Sequence, residues 1–273
     1  MTTIDTGTEH LLAEIDDGVA VLTMNRPERR NAFSTDMVYA MGRVLADLEV
    51  DDSVGAVVVT GAGGAFCAGG DVKAMAEKNA LFSPDASYDD LINLQRVNQR
   101  ATSGKLWSMG KPTIAALPGA AAGAGLSLAL SCDLRYAADT AILTTAFARV
   151  GFAGDYGGTW FLTRLIGSAK AKELYFFSER LSAKEALDLG IVNGVFAPDA
   201  LRDEVMGLAR KLANGPRVAL RYMKENLNRA VLTPFEQCSD IEVTHHAHTG
   251  TTEDHREAAT AFVEKREPQF RGR

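Results

Sequence analysis

Apolar residues in the first two-thirds of the chain fall into short continuous runs separated by glycine-rich stretches. In the last third they recur instead at helical spacing among charged residues. Residues 18–24 (GVAVLTM) form a β-rich run that stops at Asn25-Arg26-Pro27. Met37, Met41, Val44, Leu45 and Leu48 share one helical face, so the pattern predicts a helix over 34–48 with Ser34 as its cap. Residues 54–60 (VGAVVVT) and 113–117 (TIAAL) are unbroken apolar runs, as expected of strands buried on both faces.

The first of these two runs leads into GAGGAFCAGGDV, a glycine-rich turn, and then a short helix over 72–78. A polar loop over 79–90 and a helix over 91–109 follow. The second leads into PGAAAGAG at 118–125 and an apolar helix over 126–131. A strand pair at 134–137 and 141–144 comes next, then a helix over 157–166. Recurrence of strand, turn and helix marks an α/β protein. Ser182-Ala183-Lys184-Glu185 is a capping box, and Gly190 ends its helix. A strand over 191–196 precedes helices over 199–213, 216–229, 234–249 and 253–265. The chain therefore divides into a 1–198 core and a 199–273 helical region.

Composition narrows the function. The 273 residues are 46% hydrophobic and 23% charged, enough for a sizeable core, and the net charge of −6 argues against a nucleic-acid binder. Cys67, Cys132 and Cys238 are odd in number and far apart, which favours a reducing compartment over a disulfide framework. No CxxC pair provides a zinc site. The N-terminus carries acids and no apolar core of a signal peptide, so a cytoplasmic location is expected. The 113–132 run is about long enough to span a bilayer. Pro118, Gly119, Gly123 and Gly125 interrupt it, so it reads as strand, turn and helix, and no membrane association is expected.

The two small-residue turns carry the chemistry. Small side chains let a ligand approach backbone N–H groups closely, and the following helix N-terminus adds partial positive charge. Two such turns face to face make an oxyanion hole; glycines that merely permit tight packing are the plain alternative. Neither turn is a phosphate loop of the GxxxxGKS/T or GxGxxG kind.

Asn25-Arg26-Pro27 with Asn31-Ala32-Phe33, AFCAGGDVKAM, KPTIAALPGAAAGAG, GDYGGTWFLTRLIG and AFVEKR occur in that order. Over about residues 10–267 this resembles the crotonase superfamily, the enoyl-CoA hydratase/isomerase family. The resemblance implies a crotonase-like ββα spiral with a C-terminal helical trimerisation region, as a homotrimer or a hexamer built as a dimer of trimers. It implies an acyl-CoA thioester substrate, with coenzyme A as part of that substrate and no separate cofactor. The oxyanion donors carry over to the N–H groups of Gly70 and Ala124. The two glutamates with which a typical hydratase holds its water fall on Ser127 and Phe147, neither a useful base.

Asp155, in Gly154-Asp155-Tyr156-Gly157-Gly158, lies where double-bond-shifting relatives keep an aspartate; by position alone it reads as a turn or cap residue. An apolar lining by Phe147, Phe152 and Trp160 would raise its pKa. For CoA the resemblance implies Arg26 and Arg30 in the 26–31 loop, the backbone near Ala68, Asp71, Lys73, and Phe262 and Lys265 in AFVEKR. Asp71 also reads as a cap for the helix that follows it. Residues 79–92 are expected to contribute to the acyl pocket. His245, His246 and His248 sit on a surface helix, and no metal is expected. An enoyl-CoA isomerase using Asp155 is the leading reading. A hydratase with a non-standard acid and a non-catalytic CoA-binding member are the alternatives.

Overall fold

The apolar runs become the parallel centre of a seven-stranded sheet. Its order is β1 (Thr2–Ile4), β2 (Leu11–Asp16), β3 (Val19–Met24), β4 (Ala56–Gly61), β6 (Thr113–Leu117), β8 (Leu134–Ala138) and β11 (Gly194–Phe196). The first three strands are antiparallel and the rest parallel. The structure is a computed structural model and describes residues 1–73 and 87–273. One sheet face packs Leu22, Val57, Val59 and Leu117 into the main core with α1 (Thr35–Val50). The other packs Val21, Val58 and Ala116 against Val205 and Ala209 of helix Leu201–Ala213. Burial on both faces explains why these strands are continuous rather than alternating in sequence.

A second, four-stranded sheet runs β10 (Leu181–Ser182), β9 (Ile142–Thr144), β7 (Ala120–Ala122) and β5 (Ala65–Cys67). The chain passes from the large sheet to the small one at β4–β5, β6–β7 and β8–β9, which gives a spiral of repeating turns. Two expectations change here. The strands at 134–137 and 141–144 do not pair with each other, because they belong to different sheets. The glycine-rich stretches contain the short strands β5 and β7, whose alanines hide them among turn residues.

Ser34 caps α1 as expected, accepting the Met37 N–H at 3.2 Å. The helix expected over 91–109 is α2 (Tyr88–Gln99), a π-helical turn at Arg100–Gly104, and α3 (Lys105–Ser108). It starts early because Ser87 and Asp90 form a capping box. The helix expected over 72–78 and the loop over 79–90 lie largely outside the described residues. Next come α4 (Ala124–Ser131), α5 (Gly158–Ile166), α6 (Ser168–Phe177) and α7 (Ala183–Asp188). Ser182 and Glu185 cap α7 reciprocally. The chain ends with α8 (Leu201–Ala213), α9 (Arg217–Ala230), α10 (Phe235–Thr249) and α11 (Glu253–Glu264).

Lys224 of α9 is buried and ties the helical region to the core. Its Nζ donates to the carbonyls of Leu106 and Lys111 at 2.9 and 3.0 Å and pairs with Asp133 at 2.8 Å. Asp133 in turn accepts the Thr113 N–H at 2.8 Å, at the start of β6. Among the described residues no helix is long and apolar enough to cross a membrane.

Candidate active site

The small sheet delivers two turns side by side. After β5 the chain runs through Ala68, Gly69 and Gly70, where Phe33 donates to the Gly69 carbonyl at 2.8 Å and bridges to Gly70. After β7 it turns at Gly123 (φ 52°) into α4, whose first N–H belongs to Ala124. A helix leaves its first N–H groups without intrahelical partners. No acceptor among the described residues takes the N–H of Gly70 or of Ala124. A Cβ on Gly125 would overlap Cys67, so the turns touch only because that side chain is absent. Two unclaimed N–H groups on adjoining small-residue turns can stabilise an oxyanion.

Asp155 sits in a turn just before α5. Tyr156, a non-glycine residue at φ 48°, follows it. This left-handed conformation is held by a 3.0 Å hydrogen bond from the Tyr156 N–H to Gln99 Oε1, and the Tyr156 ring packs on Phe33 at 5.1 Å. The Asp155 side chain does not cap α5, whose N-cap is Gly157 with no side-chain cap bond. Asp155 Oδ1 is buried and has no hydrogen-bond partner among the described residues. Burial alone pushes the carboxyl up to about 6. Among the described residues, the titratable groups around it are uncharged. Burial raises Cys67 and Tyr175 to about 12 and also moves Tyr156 upward.

Ser127 and Phe147 occupy the same site. Ser127 is buried and donates to the Gly123 carbonyl at 3.2 Å. Phe147 is buried and stacks on Tyr175, with centroids 5.7 Å apart and planes at 9°. Tyr175 of α6 has no signal in the sequence. Its hydroxyl and that of Ser127 converge on Gly158, where a Cβ would overlap Ser127 Oγ and lie 2.5 Å from the phenolic oxygen. Tyr175 Cε1 also lies 3.2 Å from where a Cβ on Gly154 would stand, so the ring backs the Asp155 turn. Of the expected lining, Phe152 is largely exposed. Trp160 packs edge-on against Trp107 at 5.4 Å with the Arg164 guanidinium 3.9 Å above its ring.

The candidate CoA residues divide into two sets. Arg26, Arg30, Ala68 and Asp71 lie together. Arg26 donates to the Ala32 carbonyl at 2.7 Å and pairs with Asp71 at 3.2 Å, so both side chains are engaged in holding the loop. Arg30 is exposed, and its carbonyl accepts the Ala68 N–H at 2.9 Å. Lys73 is exposed. Phe262 and Lys265 stand exposed at the end of α11, outside this group. His245 stacks on Tyr222 at 4.1 Å. Among the described residues no three His, Cys, Asp or Glu side chains are grouped to hold a metal. A separate apolar cleft of about 610 Å³ lies on the far face of the large sheet, under Val205 and Met206 of α8.

Residues 14–273 match the family described as enoyl-CoA hydratase/isomerase. The 1,2-epoxyphenylacetyl-CoA isomerase of Escherichia coli is 36% identical over 97% of this chain and 99% of its own length. The short-chain-enoyl-CoA hydratase of Clostridium acetobutylicum is 35% identical, over 94% of this chain and 95% of its own. The crystal structure of an enoyl-CoA hydratase from Polaromonas sp. JS666 superposes with a TM-score of 0.88 at 32% identity, covering 96% of this chain and 99% of that one.

Proposed function

Since the chain belongs to the enoyl-CoA hydratase/isomerase family, we propose that it shifts a double bond along an acyl-CoA chain, with Asp155 carrying the proton. The thioester oxygen accepts the N–H groups of Gly70 and Ala124. Those donors stabilise the negative charge that develops when a proton leaves the α-carbon. The Asp155 carboxylate takes that proton, and the electron pair moves through the conjugated system to the thioester oxygen. When the dienolate collapses, Asp155 returns the proton to the γ-carbon, leaving the double bond next to the thioester.

The observation that carries this reading is the buried Asp155 Oδ1, without a partner among the described residues, in a site whose two hydratase-acid positions hold Ser127 and Phe147. A carboxyl near pH 6 accepts a proton at neutral pH and also gives it back. The Escherichia coli relative, named as an isomerase of an acyl-CoA, supports the same choice. The Clostridium relative, named as a hydratase, favours the second reading, a hydratase with a non-standard acid. Rates on 3-hexenoyl-CoA and crotonyl-CoA separate them. Faster isomerisation of the first supports the proposal, and faster hydration of the second overturns it.

Coenzyme A would run along the 26–31 loop past Ala68 and Lys73. Exposed apolar residues on the last three helices, among them Leu227, Phe235, Val243 and Phe262, support a homotrimer or a dimer of trimers. There Phe262 and Lys265 would reach a neighbour's nucleotide.

A further inference from the structure

A regular helix would run unbroken from Tyr88 to Ser108, yet a π-helical turn interrupts it at Arg100–Gly104. Such insertions displace backbone hydrogen bonds and occur often at functional sites. Here two side chains serve the carbonyls on its N-terminal side. Thr102 Oγ1 donates to the Asn98 carbonyl at 2.7 Å, and Ser103 Oγ to that of Gln99 at 3.0 Å. Both hydroxyl residues are buried. The turn is also pressed onto α1, because a Cβ on Gly42 would lie only 3.0 Å from that of Ala101. The irregular segment is therefore anchored to the core on both counts.

Gln99 is the residue immediately before this turn. Its Oε1 accepts the N–H of Tyr156, whose backbone is left-handed. Asp155 is the next residue back along the chain. A π turn and a strained non-glycine residue thus meet at one hydrogen bond beside the carboxylate.

We propose that Gln99 is a positioning residue that sets the direction of the Asp155 carboxylate by gripping the Tyr156 N–H from the anchored π turn. The proposal rests on Asp155 as the proton carrier. Once the grip is lost, the strained turn is free to relax and the carboxylate swings off the line to the α-carbon. Small misplacements of a catalytic group are costly in rate and leave binding largely intact.

Among the described residues, the titratable groups facing Asp155 are Cys67 from β5, Tyr156 from its own turn and Tyr175 from α6, all neutral through the working range. The acid limb of the rate profile therefore reports Asp155. The test measures kcat, KM and that limb on 3-hexenoyl-CoA for Gln99→Leu, Gln99→Glu and Asp155→Asn. Gln99→Leu fills the space without an acceptor, and kcat should fall at least about tenfold with KM within about twofold. Gln99→Glu still accepts the Tyr156 N–H and should recover most of kcat. Its new negative charge should move the acid limb to higher pH. Wild-type kcat in Gln99→Leu, or an unmoved limb in Gln99→Glu, overturns the assignment when Asp155→Asn is inactive. An active Asp155→Asn overturns the reading of Asp155 and the proposal built on it together.

Discussion

Gly69 and Ala124 approach so closely that a Cβ on the first would lie 3.2 Å from the backbone nitrogen of the second. The same Cβ would stand 2.7 Å from the Ala122 carbonyl oxygen, on a residue with φ of 89°. The contact between the two turns is thus built from backbone, and it depends on a side chain that is missing. Gly69→Ala should push the two turns apart and lower kcat by about a hundredfold or more, the usual cost of losing an oxyanion donor. Steady-state kinetics on 3-hexenoyl-CoA checks this, and near-normal turnover would mean that the two turns do not hold the thioester.

Asp155 should cost the fold stability at neutral pH. Its carboxyl is raised from near 3.8 to about 6, so the folded state favours the protonated form. Stability is then greatest below about pH 4, falls as the pH rises through 6, and stays reduced above that. The penalty is on the order of 2 kcal/mol once the partly open face is allowed for. Asp155→Asn should raise the melting temperature by several degrees at pH 8 and leave it unchanged at pH 4. Equal melting temperatures at both values would show that the carboxylate is well solvated.

Lys224→Met should destabilise strongly while leaving the site chemistry intact. The methionine keeps length but leaves Asp133 and the carbonyls of Leu106 and Lys111 without their donor. Breaking a buried pair from one side typically costs about 3–5 kcal/mol. Chemical denaturation reads this directly, and a loss under about 1 kcal/mol would place Lys224 effectively in solvent.

The last three helices should bury their apolar faces in an assembly. Phe235 is 78% exposed and Phe262 85% exposed in the single chain. Light scattering at micromolar concentration should return the mass of three or six chains. A stable monomer would leave these side chains without a role.

Much of the architecture was legible where one period dominates. Ser34, Met37, Met41 and Leu48 mark α1 on spacing alone, and Ser182 with Glu185 marks the start of α7. The strands at the N-terminus were less visible. Leu12 is exposed between buried Leu11 and Ala13, so the apolar signal is short and mixed. β5 and β7 were hidden because alanine and glycine serve tight strand packing and turns alike. The site divides along the same line. Gly70, Ala124 and Asp155 stand in local motifs. Gln99 and Tyr175 lie 56 and 20 positions from Asp155, on other helices, and only folding brings them to its turn. The pairing of Arg26 with Asp71 was equally invisible, since 45 residues separate them.

Asp155→Asn on 3-hexenoyl-CoA tests the central claim most directly. The substitution preserves shape, removes the base and adds no charge. Turnover should fall by at least about a hundredfold, the usual range for a general base, while apparent binding of the thioester changes little. Near wild-type turnover in Asp155→Asn would contradict the account and leave Asp155 as a turn residue.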